Sequence, residues 1–333
     1  MKKLMLAAAA ALVCSASFAQ AEKQEYILAT ASTGGTYYPV GVALSTVTKV
    51  KLEPATGISL SAISSAGSDE NIRLMSKNEA QFSLLQGLYG YYAWTGTGPM
   101  EVVGKQENLR SVTLLWQNVE HFVVDSKKAA SGTVEDFAAL KGERMALGAR
   151  NSGNIGSNAT LLAGLGIDIY KDYDLMYGGY GPSAEALQDR QVSGTSIPAG
   201  VPAGAITKLF AAVPGQVTLL EVTDEQMEKM DAGRKLWTRY VIPAGTYVSV
   251  DKDLPTIAQP NLLAVNADVP EEHVYQITKT IYENLGFLAG IHAATQALSL
   301  EKAVEGLPLP LHPGAARYYQ EQGLTIPEHL IAK

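Results

Sequence analysis

Three times in this chain a short β-like segment runs into a small, polar, glycine-containing turn and then into a segment of helical period. The turns are Thr33–Tyr38, Ser65–Ser68 and Asn151–Asn154. This succession constrains the fold more than any other feature, because repeated strand–turn–helix units imply parallel strands joined by crossover helices. Tyr26–Thr30 is β-like. After the first turn, Val40, Ala43, Leu44, Val47 and Val50 fall on one helical face, and Pro39 suits a first turn, where its missing N–H costs nothing. Ile58–Ile63 reads as the second strand. Ser68 reads as an N-cap with Asp69 and Glu70 in the first turn, and Gln81–Leu85 reads as the third strand. A parallel sheet with helices on both faces is expected.

Arg110–Asp125 is long and β-like, with polar Gln117 and Asn118 at its centre, as expected of a strand that leaves one domain and enters another. A second series follows. Thr133–Leu140 reads as a helix and Arg144–Gly148 as a strand. A helix carrying Leu161, Leu162 and Leu165 comes next, then the strand Asp174–Tyr177 and the helix Pro182–Arg190. Val192–Ile197 and Val217–Glu221 read as strands, and Thr223–Gln226 fits a capping box. The chain then returns through Thr256–Asn266, extended around Pro260, into a helix over Glu271–Leu288 with Val274, Ile277, Ile281, Leu285 and Leu288 on one stripe. The expected fold is a hinged two-domain α/β clamshell. Residues 22–117 with 262–333 form one domain and residues 118–261 the other, with hinges near Trp116–Val119 and Pro260–Leu263 and a cleft between.

The N-terminus carries an export pattern. Lys2 and Lys3 precede the apolar run Leu4–Val13, and Ala19-Gln20-Ala21 fits the small-x-small rule before a cleaved bond. Residues 1–21 read as a signal peptide, with the mature chain starting near Glu22. Roughly 310 residues then remain, above the size at which one core stops growing. Cys14 is the single cysteine, and removal of the signal leaves no thiol for a disulfide, a nucleophile or a metal. Val13 stands where a lipoprotein signal needs a small side chain. Loss of two lysines takes the formal charge from −7 to −9, which disfavours nucleic acid as a partner. An anionic ligand stays open, since a local site can be positive within a negative field.

Several catalytic signatures are missing: G-x-S-x-G, H-E-x-x-H, a Walker loop, and G-x-G-x-x-G after a strand. His121, His273, His292, His312 and His329 are scattered, with no i,i+4 pair. Neither a metal nor a cofactor is expected. The three turns remain. In an open α/β sheet, ligands bind beyond the carboxyl ends of the strands, where helix N-termini present unpaired N–H groups and partial positive charge. Such turns hold a carboxylate without an arginine, or they are simply capped βα loops. Nearby aromatics (Tyr37, Tyr38, Tyr89, Tyr91, Tyr92, Trp94) close over a ligand or pack in the core.

The ordered set of motifs resembles the TAXI family of solute-binding subunits of tripartite ATP-independent periplasmic (TRAP) transporters. The resemblance runs through Ser32–Pro39, Ser65–Ile72, Leu85-Gln86, Leu140–Gly142 and Ser152-Gly153. It continues through Ile242–Tyr247 and Leu311–Tyr319. It implies a two-domain, type II-like periplasmic binding protein fold, in a monomeric periplasmic protein that closes on a small organic anion such as glutamate or 2-oxoglutarate and delivers it to the membrane permease subunits of an ion-gradient-driven transporter. Carried over by motif, ligand contacts fall on Thr33, Gly35, Thr36, Tyr37, Ser65, Ser68, Gln86, Asn151, Ser152 and Gly153. Leu88, where the family commonly has aspartate, and Gly194-Thr195, where it often has Asp-Ala, are expected to alter the pocket lining. The rival readings are a sensory binding protein and a periplasmic hydrolase.

Overall fold

A computed structural model describes residues 23–331, so the expected signal peptide lies outside the described residues. The chain begins with β1 (Gln24–Ala29), α1 (Tyr37–Val47), β2 (Ile58–Ile63), α2 (Ser68–Ser76), β3 (Phe82–Gln86), α3 (Gly87–Thr95) and β4 (Leu109–Val119). It continues through β5 (Phe122–Asp125), β6 (Arg144–Ala146), α4 (Gly153–Ala163), β7 (Asp174–Leu175), α5 (Tyr180–Gln188), β8 (Gly194–Ser196), α6 (Gly204–Ala212) and β9 (Val217–Leu219). It returns through β10 (Thr238–Ile242) and β11 (Leu254–Asn266) to α7 (Glu271–Glu283) and α8 (Pro313–Glu321).

Two mixed sheets result. In the first lobe β1 runs parallel to both β2 and β3, and β11 pairs antiparallel with β3, β4 and β10. In the second the order is β7-β6-β8-β5-β9. Strand alternation divides the second core: Phe122 and Val124 face one side of the sheet and Val123 the other. The first lobe packs Leu28, Leu44, Leu60, Leu84 and Ile277 into one cluster. At about 1.5–3 kcal/mol per buried aliphatic side chain, such clusters hold each lobe together.

Long β11 joins the two cores. Ile257 and Ala258 pack in the second lobe, while Leu262, Leu263, Ala264 and Val265 pack in the first. β4 lies beside it, with Trp116 opposite Asn261 and Val119 opposite Ala258. The two segments expected to cross between domains are therefore neighbours in one ladder.

Three local expectations change. The helical face ends before Val50, which is 55% exposed, because Thr48–Leu52 forms a π turn that rotates it off the stripe. The helix expected to reach Leu288 breaks at Asn284, whose side chain donates to the Thr280 carbonyl at 2.8 Å and so competes with the helix ladder. The strand expected through Asp125 is interrupted at Glu120 and His121. No helix among the described residues is long and apolar enough to cross a membrane.

Candidate functional site

The first turns of α1 and α2 in one lobe meet those of α4 and α5 in the other around a cavity of about 230 Å³. Each turn begins differently. Thr36 caps α1 without using its side chain on the helix. Gly67 caps α2 at φ 119°, ψ −155°, a backbone state open only to glycine. Ser68, expected as the N-cap, is therefore the first helical residue, and its hydroxyl accepts from the Gln86 N–H at 3.1 Å. Asp69 and Glu70 do occupy the first turn of α2. Ser152 caps α4 by accepting from the Ile155 N–H at 3.2 Å. Gly179 precedes α5.

The first N–H groups of a helix have no partner within it and carry the positive end of its dipole. Four such ends converge here, and among the described residues no charged side chain lines the cavity. Its polarity comes from hydroxyls, amides and main chain. Gln86 is buried, and among the described residues its Oε1 has no hydrogen-bond partner. The Tyr37 phenol donates to Asn261 Oδ1 at 2.5 Å. Burial holds both the Tyr37 and Tyr180 phenols well above their ordinary range, so both stay neutral donors. The Tyr180 hydroxyl donates to the Pro198 carbonyl at 2.6 Å.

The lobes touch across this cavity. Thr36 Oγ1 accepts from the Gly200 N–H at 3.0 Å, and the Glu70 N–H donates to the Asn151 carbonyl at 3.1 Å. A Cβ at Gly153 would stand 2.7 Å from Gln86 Oε1 and 2.9 Å from Ser68 Oγ. A Cβ at Gly35 would stand 2.8 Å from the Tyr180 ring. Gly35 thus makes room for the Tyr180 ring.

Of the ten expected contacts, Gly35, Thr36, Tyr37, Ser65, Ser68, Gln86, Ser152 and Gly153 line the one cavity. Thr33 does not; it opens on a neighbouring groove with Pro39 and Lys208. Nor does Asn151: its φ of 57° places it in the left-handed region, and its carbonyl is taken by Glu70. Leu88 is no part of the lining either. It is fully buried with Phe122 and Trp237 in an apolar cluster, and its N–H donates to Gln259 Oε1. Gly194 and Thr195 are buried in β8, away from the lining, which Pro198 and Ala199 supply instead. Among the aromatics near the turns only Tyr37 lines the cavity; Tyr89 is buried and donates to the Ser152 carbonyl at 3.3 Å.

Sequence reasoning missed Gly178, Gly179 and Tyr180. Their signal is of the same kind as the others, a glycine turn between an expected strand and an expected helix, but the helix starts at Tyr180, two residues before the expected Pro182. Among the described residues, no group of three His, Cys, Asp or Glu side chains is placed to hold a metal ion.

Two α/β lobes with a ligand-sized cavity where their helix N-termini meet are the fold of periplasmic binding proteins. Solved structures share it at low identity. The MatC protein of Rhodopseudomonas palustris with bound malate superposes with a TM-score of 0.56 at 13% identity, over 89% of this chain and 98% of that one. A binding protein component of an ABC phosphonate transporter from Pseudomonas aeruginosa gives 0.53 at 10%, over 83% and 80%. PhnD1 of Prochlorococcus marinus in complex with methylphosphonate gives 0.53 at 11%, over 82% and 90%. The chain belongs to the NMT1-like family, whose model matches residues 28–323.

Proposed function

We propose that this chain is a periplasmic solute-binding protein that captures a small organic anion between its lobes, hands it to a membrane transporter and catalyses no reaction. The observation that carries this reading is the convergence of four helix N-termini on a cavity without a charged side chain. That arrangement attracts negative charge through main-chain N–H groups. A cavity of about 230 Å³, roughly eight water volumes, sets the size class. Glutamate, 2-oxoglutarate or a similar dicarboxylate fits both the size and the two-sided placement of donors, with one acidic group for each lobe. The resemblance to the TAXI subunits points to an ion-gradient-driven TRAP permease as the receiver. A sensory role would use the same site. Against a hydrolase stands the lining itself, which offers hydroxyls but no histidine, lysine or carboxylate to act as base.

A thermal-shift screen of dicarboxylates, amino acids, phosphonates and sulfonates tests the proposal. One compound is expected to raise the stability of the folded state by about 2.7 kcal/mol at a hundredfold excess over its Kd. Adding chelator and reductant should leave that shift unchanged. Absence of any stabilising anion, or a shift abolished by chelator, would count against it.

A further inference from the structure

Glu120 interrupts the passage from β4 to β5 and is completely buried. Its main chain is fixed on both sides: its N–H donates to the Ile257 carbonyl at 2.9 Å, and its carbonyl accepts from Thr256 Oγ1 at 2.8 Å. The carboxyl stands at one end of a chain of hydrogen bonds between the lobes. Oε1 accepts from the Ser157 hydroxyl on α4 at 3.3 Å, Ser157 accepts from Gln259 Nε2 on β11 at 3.3 Å, and Gln259 Oε1 accepts from the Leu88 N–H on α3 at 2.9 Å. The other oxygen, Oε2, makes no hydrogen bond of ordinary geometry among the described residues, and the Trp237 indole N–H beside the carboxyl is likewise without one.

Among the described residues no cation balances this group. The neutral side chains of Ser157, Gln259 and Trp237 face it, and Tyr180 is the titratable group that the Glu120 carboxyl in turn raises. Adjacent His121 directs its ring to the Val119 and Ile197 carbonyls and to Tyr247, and burial pushes it down to about 4, so it is neutral. Burial pushes the Glu120 carboxyl up to about 8, since an unpaired buried carboxylate takes a proton rather than keep its charge.

We infer that Glu120 is a proton latch for the cleft, holding a proton while the lobes are closed and releasing it to solvent when they part. This names a regulation of the proposed binding site and rests on that reading. Rotation about the β4–β11 ladder draws α3 away from α4, breaks the Leu88–Gln259–Ser157 chain and admits water to the carboxyl. The closed form therefore binds one more proton than the open form. Its advantage is full below the ordinary glutamate value of 4.5 and is lost progressively as pH rises toward about 8.

Solution scattering of the purified protein without added ligand, from about pH 5 to pH 9, reads the latch directly. The wild-type radius of gyration is expected to rise across that window, while Glu120→Gln, an uncharged isostere of the protonated acid, stays compact. A constant wild-type radius, or an equal rise in the variant, overturns the inference. Should the variant fail to fold, the wild type suffices. Its scattering transition and the ¹³Cδ titration of Glu120 must share one midpoint, and separate midpoints overturn the inference. Since no solute is added, a negative result is distinct from failure to find a ligand.

Discussion

Gly153→Val is expected to weaken solute binding by on the order of a hundredfold, about 2.7 kcal/mol, while each lobe still folds. Gly153 opens α4 and has no positive φ, so its own backbone accepts a side chain. The obstacle lies in the other lobe. Even a Cβ would stand 2.7 Å from Gln86 Oε1, 2.9 Å from Ser68 Oγ and 3.0 Å from Ser68 Cβ, and valine adds two methyl groups. With the lobes apart these neighbours withdraw, so the clash penalises only the closed form. Calorimetric titration reads the affinity and a thermal melt without ligand reads the fold. A variant that binds within about threefold of wild type would show that closure does not bring Gly153 against Gln86 and Ser68.

The second large effect is expected at Thr36. Its hydroxyl oxygen accepts from the Gly200 N–H at 3.0 Å, and both groups are buried. The hydroxyl proton remains free to donate to a ligand. Thr36→Val keeps the shape and removes both functions. A buried N–H left without a partner costs about 1–3 kcal/mol. Water can satisfy Gly200 when the lobes open, so the cost falls on the closed, liganded state. Affinity should drop roughly five- to hundredfold, with the melting temperature of the empty protein nearly unchanged. Wild-type affinity in this variant would mean that the Thr36–Gly200 contact does not form on closure.

The α/β alternation was legible because helices and strands leave different periods, and Ile58–Ile63 agrees residue for residue with β2. The glycine turns were legible for the same reason, as breaks between periods, and the three of them supply ten of the residues that line the cavity. What stayed hidden depends on backbone geometry or distant partners. Gly67 takes the cap from Ser68 because of a φ that sequence does not display. Asn151 turns away through a left-handed φ. Tyr180 enters the site only because Gly35 leaves room for its ring. Leu88 looked like part of the lining from its place two residues after Gln86, but the first turn of α3 carries it into the core.

The most direct measurement is a crystal structure of the protein saturated with the anion that stabilises it in the thermal screen. Its acidic groups are expected between the lobes, within hydrogen-bond distance of main-chain N–H groups at the starts of α1 or α2 on one side and of α4 or α5 on the other, with the Gln86 amide engaged. A ligand seated in the neighbouring groove beside Thr33 and Lys208, or on the outer face of either lobe, would contradict capture of an anion by converging helix N-termini.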